Sequence, residues 1–115
     1  MSGLALIALF SYGTLRQADV QMANYGRVLD GDSDELHGYR LTPVEITNPE
    51  VVKVSGLAVH TIATATGDPE DRIEGMVFRL TEAELAATDA YETDAYARIE
   101  VALESGRLAW AYVAA

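Results

Sequence analysis

The pattern of apolar positions along the chain predicts six strands. Leu4–Tyr12 is a nearly unbroken apolar run of strand length that ends at Gly13, which is typical of a strand buried on both faces. Glu35–Ile46 is an irregular strand interrupted by Gly38 and Pro43, so we expect a sheet edge or a bulge there. The other strands are Leu57–Thr66, Ile73–Leu80, Tyr96–Leu103 and Leu108–Val113, of which the last two form a hairpin through Ser105-Gly106.

Two short helices are predicted between the strands. Arg16–Tyr25 has apolar positions that can share a face, and Gly26 stands where a C-terminal cap is expected. The second helix begins at Thr81 and runs to about Tyr91, and Glu84 has the spacing of a capping box with Thr81. Turns are expected at residues 31–34, 47–50 and 67–71. The order β-α-β-β-β-α-β-β indicates an α+β fold with a small mixed, mostly antiparallel sheet that can curl into a barrel.

Composition and charge limit the classes of function. The 115 residues are half apolar, which fits a single domain over residues 1–115 with its own core. With 18 Asp+Glu against 8 scattered Lys+Arg, the net charge is −10, which argues against nucleic acid or a membrane surface as partner. The N-terminal apolar run is too short to span a bilayer and has no Lys or Arg before it. We therefore expect a cytoplasmic protein, and the sequence does not indicate an oligomeric state.

Several kinds of catalytic and cofactor site are absent from the sequence. There is no cysteine, which excludes disulfides, thiolate nucleophiles and cysteine-ligated zinc. His37 and His60 lie far apart, and neither has a second ligand at metal spacing. No Gly-x-Ser-x-Gly elbow, P-loop or triple-glycine nucleotide motif is present. We expect neither a metal nor a cofactor.

The first candidate for chemistry is the loop Tyr12-Gly13-Thr14-Leu15, where the buried strand turns into the first helix. Backbone N–H groups at such a junction point outward together near the positive end of the helix dipole, so they can hold an anion. Gly13 allows a ligand to approach closely. On the tetrapeptide alone, however, an ordinary strand-to-helix turn is the simpler interpretation.

The second candidate is Glu92, at the last turn of the second predicted helix, where backbone carbonyls disfavour a carboxylate. Repulsion from Asp89 and Asp94, together with any burial, would raise its pKa and make it a useful base near neutral pH. From the charge pattern alone, a solvated acidic patch is the simpler interpretation. Glu74, beside Gly75 in an apolar run, is a weaker candidate that either lines a pocket or faces water.

Four motifs together resemble the gamma-glutamylcyclotransferase-like superfamily. They occur in order over nearly the whole chain as Tyr12-Gly13-Thr14-Leu15, Ile73–Phe78, Asp89–Glu92 and Tyr96–Val101. The resemblance implies a small mixed β-barrel flanked by helices, with one pocket formed by the Tyr-Gly-x-Leu loop and a single catalytic glutamate that matches Glu92. It also implies an enzyme that releases 5-oxoproline from a small-molecule γ-glutamyl amine or peptide, without metal or cofactor.

This resemblance assigns a role to each candidate residue. The backbone N–H groups of residues 13–15 bind substrate oxygens, most simply the α-carboxylate. Glu92 pairs with the substrate ammonium, removes a proton and returns one to the leaving amine. Tyr12 and Tyr96 supply hydroxyls or pocket walls.

Two other classes of function stay open. One is a non-catalytic binding module that keeps the same pocket for a small anionic or amino-acid-like ligand. The other is an interaction protein whose acidic surface contacts a partner. Glu92 separates an enzyme from a binding module, because a pure binder does not need a carboxylate at an unfavourable helix end.

Overall fold

The computed structural model of the chain describes residues 6–45, 49–50, 53, 59–92 and 96–114. Seven strands lie in this part of the chain: β1 Ile7–Ser11, β2 Gly31–His37, β3 Tyr39–Glu45, β4 Val59–Ala65, β5 Arg72–Leu80, β6 Tyr96–Ala102 and β7 Leu108–Ala114. They are accompanied by a 3-10 turn at Thr14–Arg16 and by the α-helices α1 Ala18–Tyr25 and α2 Glu82–Tyr91, and residues 49–50 and 53 are also helical. None of the described helices is long and apolar enough to cross a membrane.

The strands form one mixed, mostly antiparallel sheet, as predicted. Its order is β2-β5-β1-β7-β4-β3, and β6 pairs with β7 outside this path. Among the described strands, only the β1–β7 and β4–β7 pairs are parallel. One edge of β7 is paired with β6 over its whole length. On the other edge, β1 pairs at Trp110 and Ala111, and β4 pairs further along, at Val113. The sheet therefore forks at β7, and the fork lies beside the end of β1.

The sheet curls, but its two ends do not pair with each other in the described structure. The terminal strands β2 and β3 are separated by Gly38 alone, so the two ends of the path meet at this corner. Gly38 has φ +82°, its N–H donates to the Asp71 carbonyl at 2.8 Å, and its own carbonyl accepts from Thr66 N–H at 2.8 Å. One residue is too short a connection for a hairpin, so the chain turns a corner here, and the predicted barrel takes the form of a curled, open sheet.

The segment from residue 31 to residue 46 differs from its prediction. The expected turn at 31–34 is wrong, because these residues are part of β2, which pairs with β5 over its full length. The single irregular strand Glu35–Ile46 is two strands, broken at Gly38, and both lie at edges of the sheet path as that prediction expected. Turn-forming Gly, Asp and Ser residues are extended here because β5 offers them a partner, and that contact is not visible in local sequence.

The other predicted elements agree with the structure where residues are described. β1, the final hairpin and both helices form, and Gly26 caps α1 with φ +71°. The Thr81 hydroxyl accepts from Glu84 N–H at 3.1 Å while the Glu84 carboxylate accepts from Thr81 N–H at 2.9 Å, which confirms the capping box. The beginnings of the predicted strands at residues 4 and 57, and residues 47–48 of the predicted turn at 47–50, lie outside the described residues. Residues 49–50 are helical, so the turn predicted there is wrong.

The core lies on both faces of β1. Leu9 and Phe10 point to opposite faces, and each is only 1% exposed. Leu9 packs in a cluster with Val20 of α1 and Leu85 of α2, so the helices cover this face. Phe10 packs in a second cluster that includes Leu36, inside the curl of the sheet. This confirms a first strand buried on both faces, and it places the end of β1 at the centre of the molecule.

Candidate functional site

The loop after β1 forms one wall of a pocket. Gly13 ends the extended chain, and residues 14–16 make a single 3-10 turn in which Arg16 N–H donates to the Gly13 carbonyl at 3.1 Å. The α-helix predicted to begin at Arg16 begins instead at Ala18. The loop therefore continues into a short 3-10 turn and does not lead directly into the N-terminus of α1, where the helix dipole is positive. No described residue accepts a hydrogen bond from the N–H groups of residues 13–15. These donors are available to a ligand at the pocket wall.

The pocket brings the six candidate residues of the sequence together. Its cavity volume is about 30 Å³, well below the about 300–1,000 Å³ of most small-molecule sites, so the pocket is narrow in this structure. Its lining consists of Phe10, Ser11, Tyr12, Gly13, Thr14, Leu15, Thr61, Glu92, Tyr96 and Tyr112. Sequence analysis missed Thr61 and Tyr112. Neither stands beside a recognised motif, and both reach the pocket only because β4 and β7 meet at the fork.

Glu92 stands where α2 ends. Its backbone is extended, with ψ 143°, and its N–H donates to the Thr88 carbonyl at 3.0 Å. The residue keeps partial contact with solvent, while burial of its carboxyl group raises the pKa from 4.5 to about 8. The predicted direction of the shift agrees, but its cause is desolvation rather than repulsion by acidic neighbours. Asp89 is engaged elsewhere, and Asp94 lies outside the described residues.

Tyrosine hydroxyls surround Glu92 but direct their protons away from it. The Tyr12 hydroxyl donates to the Tyr112 carbonyl at 2.5 Å and accepts from Ala63 N–H at 2.9 Å. The Tyr96 hydroxyl donates to the Thr61 carbonyl at 3.0 Å. Burial raises the pKa of both tyrosines, and the charge of Glu92 adds to both shifts. Tyr12 and Tyr96 line the pocket, but because their protons are donated to other groups, the Glu92 carboxylate gains little stabilisation from them.

Further hydrogen bonds connect the loop to both helices. The Thr14 and Tyr91 hydroxyls lie 2.8 Å apart, which joins the loop to the end of α2. Gln21 of α1 is 1% exposed, and its amide donates to the Leu15 carbonyl at 2.8 Å. Its other amide atom accepts from Leu29 N–H at 2.8 Å. The loop is therefore held from two sides, and sequence analysis identified neither Gln21 nor Tyr91 as a supporting residue.

Gly75 is required by close approach of β5 to β1 beneath the loop. A Cβ atom there would lie 2.6 Å from the Ser11 carbonyl oxygen and 2.6 Å from the Phe10 ring. Its neighbour Glu74 is exposed and lines a separate, open depression together with Glu104. Both alternatives for Glu74 therefore hold, since it lines a depression and faces water, but it does not line the pocket around Glu92.

His37 lies outside the pocket lining. His37 contacts the Pro69 carbonyl through Nδ1 at 3.1 Å and the Glu104 carboxylate through Nε2 at 2.5 Å. The side chain of His60 is outside the described part of the structure. Across the described residues, no group of three or more His, Asp or Glu side chains could hold a metal ion.

Comparisons with known proteins agree with this geometry. The family model described as gamma-glutamyl cyclotransferase, AIG2-like, matches residues 9–115. The solution structure of Arabidopsis thaliana At3g28950.1 superposes with a TM-score of 0.72 at 21% identity, and covers 99% of this chain. This chain spans only 65% of that protein. No curated protein sequence matches significantly.

Two further solved structures have the same fold. One named gamma-glutamyl cyclotransferase has a TM-score of 0.74 at 14% identity, over 96% of this chain and 68% of its own. The Homo sapiens protein loc79017 has a TM-score of 0.72 at 15% identity, over 96% of this chain and 67% of its own. At such identities the likeness concerns the fold alone.

Proposed function

The chain belongs to the gamma-glutamyl cyclotransferase, AIG2-like family, and from this membership we propose that it releases 5-oxoproline from a γ-glutamyl amine or peptide, with Glu92 as general acid/base. The observation that supports the proposal most directly is the position of Glu92. Its carboxyl group, with a pKa of about 8, lines the same small pocket as the unpaired N–H groups of residues 13–15.

The loop N–H groups and the Glu92 carboxyl group can each bind one charged group of the substrate. A γ-glutamyl group carries an α-carboxylate, an α-ammonium and a γ-amide. The N–H groups of residues 13–15 are suited to the carboxylate oxygens, as backbone donors in a concave loop bind anions elsewhere. Glu92 is then the group that pairs with the ammonium. The rings of Tyr12 and Tyr96 form walls that exclude water from the folded substrate.

Proton transfer benefits from the raised pKa of Glu92. A free α-amine has a pKa of about 8, so moving a proton from the ammonium to Glu92 is nearly thermoneutral. A glutamate with the ordinary value of 4.5 would oppose the same transfer by about 3.5 units, or about 5 kcal/mol. Burial of the carboxyl group thus matches its proton affinity to that of an amine, and near pH 7 the ionised fraction that can act as the base is about a tenth.

Ring closure then needs no covalent enzyme intermediate. The freed amine attacks the γ-carbonyl carbon, and the bond from that carbon to the leaving nitrogen breaks as the tetrahedral intermediate collapses. The α-ammonium loses two protons as it becomes the ring N–H, and the departing amine gains two to leave as an ammonium. Glu92 accepts and returns each proton in turn. Since nucleophile and electrophile belong to one molecule, positioning by the loop supplies much of the rate.

The test is release of 5-oxoproline from a panel of γ-glutamyl amines and γ-glutamyl amino acids. α-Glutamyl peptides are the matched substrate control, because their γ-carboxyl group carries no amine to release. Glu92→Gln should lower kcat by about 10²- to 10⁴-fold, with circular dichroism unchanged. Glu74→Gln, which removes a carboxylate outside the pocket, should retain wild-type kcat.

Two outcomes would contradict the proposal. An unchanged rate in Glu92→Gln would exclude Glu92 as the acid/base. Binding of γ-glutamyl compounds to the wild-type protein without product, across the whole panel, would favour the non-catalytic binding module instead. Isothermal titration with the same panel distinguishes this second outcome from a failure to bind.

A further inference from the structure

Asp89 lies in the last turn of α2, one turn before Glu92. This turn has no basic residue, and a carboxylate so close to the helix carbonyls is unfavourable unless it is compensated. Compensation comes from Arg98, whose Nε donates to Oδ1 at 2.9 Å and whose NH2 group donates to Oδ2 at 3.2 Å. The Tyr112 hydroxyl also donates to Oδ1, at 2.5 Å. Asp89, Arg98 and Tyr112 are named here the Asp89 cluster.

The Asp89 cluster connects the helix to a rigid part of the sheet. Arg98 is in β6 and Tyr112 is directly opposite in β7, where the two strands pair over all of their residues. The Arg98 guanidinium also lies over the Trp110 ring, 4.6 Å from its centroid, which restricts its conformations. Partial burial of Asp89 opposes ionisation, but the hydrogen bonds from Tyr112 and Arg98 prevail and lower its pKa. The aspartate is therefore a charged anchor near neutral pH.

Tyr112 belongs both to this cluster and to the pocket. Its ring lines the pocket that contains Glu92, while its backbone carbonyl accepts from the Tyr12 hydroxyl. The Tyr112 hydroxyl thus bonds to Asp89, while the Tyr112 backbone carbonyl bonds to the Tyr12 hydroxyl, which accepts from Ala63 N–H of β4. The end of α2 and the fork of the sheet are held by one network, which passes along the pocket wall.

The Glu92 carboxyl group has no such network of its own. No described residue donates a hydrogen bond to it, and the backbone N–H of Glu92 donates to the Thr88 carbonyl. Its place in the pocket therefore depends on where the last turn of α2 is held. In that turn, the Tyr91 hydroxyl bonds to Thr14, and the Asp89 side chain hydrogen-bonds to both strands of the hairpin.

We propose that Asp89 is a positioning residue, which holds the end of α2 against the β6–β7 hairpin through Arg98 and Tyr112 and thereby keeps the Glu92 carboxyl group inside the pocket. The effect of Asp89 on catalysis rests on the function proposed above. The location of Glu92 does not depend on that function. It can therefore be measured in the absence of any substrate.

The experiment compares Asp89→Ala and Asp89→Asn with wild type by two readouts. The first is kcat and KM for 5-oxoproline release. The second is the pKa of Glu92 from a ¹³C NMR titration of its carboxyl carbon, assigned by comparison with Glu92→Gln. The control is Arg27→Ala, which breaks the arginine–carboxylate pair with Glu84 at the opposite end of α2, where the Arg27 Nε to Glu84 distance is 2.7 Å.

In Asp89→Ala we expect kcat to fall by about 10- to 100-fold with a smaller change in KM, because a displacement of about 1 Å can lower the rate about 10²-fold. The pKa of Glu92 should fall from about 8 towards its ordinary value of 4.5 as the carboxyl group becomes solvated. Asp89→Asn should recover part of both, since its amide oxygen still accepts from Tyr112. Arg27→Ala should change neither kcat nor the pKa of Glu92, although its melting temperature can fall.

The proposal is overturned if Asp89→Ala melts at a lower temperature but keeps the wild-type kcat and the wild-type pKa of Glu92. If Asp89→Ala does not fold, Arg98→Lys is the milder variant, because it keeps the charge and loses the paired geometry. The same shifts, smaller in size, are then expected, and their absence overturns the proposal. If the wild-type protein releases no 5-oxoproline, the proposed function fails, and the NMR titration alone decides the role of Asp89.

Discussion

The raised pKa of Glu92 predicts an unusual dependence of stability on pH. The folded protein holds this proton up to about pH 8, whereas in the unfolded chain the carboxyl group ionises near the ordinary value of 4.5. The folded state therefore binds the proton more tightly, and stability falls as the pH rises through this window. The contribution is fully present below about pH 4.5 and is lost by about pH 8. Glu92→Gln, which cannot ionise, should lack it.

The size of the effect follows from the two pKa values. Linkage gives a loss of about 2.5 kcal/mol between pH 5 and pH 7, and about 1.4 kcal/mol more between pH 7 and pH 9. Carboxylates with lowered pKa values, such as Glu84 and Asp89, act in the opposite direction and only in acid. They are present in both variants and cancel in the difference. The free energy of unfolding of Glu92→Gln minus that of wild type should thus increase by about 4 kcal/mol from pH 5 to pH 9.

Urea unfolding of both variants at pH 5, 7 and 9 measures this difference, with the slope m as the check that both unfold in the same way. Glu74→Gln is the matched control, because Glu74 is exposed and lies outside the pocket, so its replacement should not reproduce the increase of about 4 kcal/mol. A flat difference for Glu92→Gln would refute the argument. The carboxyl group would then be solvated in the folded protein, and its pKa would be too low for it to accept a proton from an amine.

Two further predictions concern the packing around the loop. Tyr12→Phe removes the acceptor of the buried Ala63 N–H and should lower the free energy of urea unfolding by about 1–3 kcal/mol, whereas a change below about 0.5 kcal/mol would mean that water replaces the hydroxyl. Gly75→Ala should destabilise by about 1–3 kcal/mol in the same assay because its Cβ has no room. Gly13→Ala, whose Cβ meets nothing within 4 Å, should melt like wild type; equal melting of the two alanine variants would contradict the packing argument.

Local features of the sequence were good predictors of elements that local interactions stabilise. The capping box of Thr81 and Glu84 and the cap at Gly26 depend on atoms within four residues of each other, and both formed as predicted. The pairing of β2 failed as a prediction because residues 31–34 have turn composition and become a strand only against β5. A contact with residues more than 40 positions away overrides a local preference.

In the candidate site, too, local sequence motifs predicted some features and long-range contacts decided the others. Its loop and its glutamate were identified from short motifs through a family resemblance, and the pocket does bring Tyr12–Leu15, Glu92 and Tyr96 together. The cause of the high pKa of Glu92 was not predictable. Sequence suggests repulsion from Asp89, whereas in the structure Arg98 and Tyr112 engage Asp89 and burial perturbs Glu92.

By itself the sequence determined a single acidic α+β chain without cysteine, the buried first strand, both helices with their caps, and the motifs of its family. These properties depend on composition, on periodicity or on neighbours along the chain. Only the tertiary structure decided the fork of the sheet at β7, the buried hydroxyl of Tyr12 within it, and the enclosure of the Glu92 carboxyl group. Each of these needs strands from distant parts of the chain to meet, because desolvation and buried hydrogen bonds depend on what surrounds an atom in space.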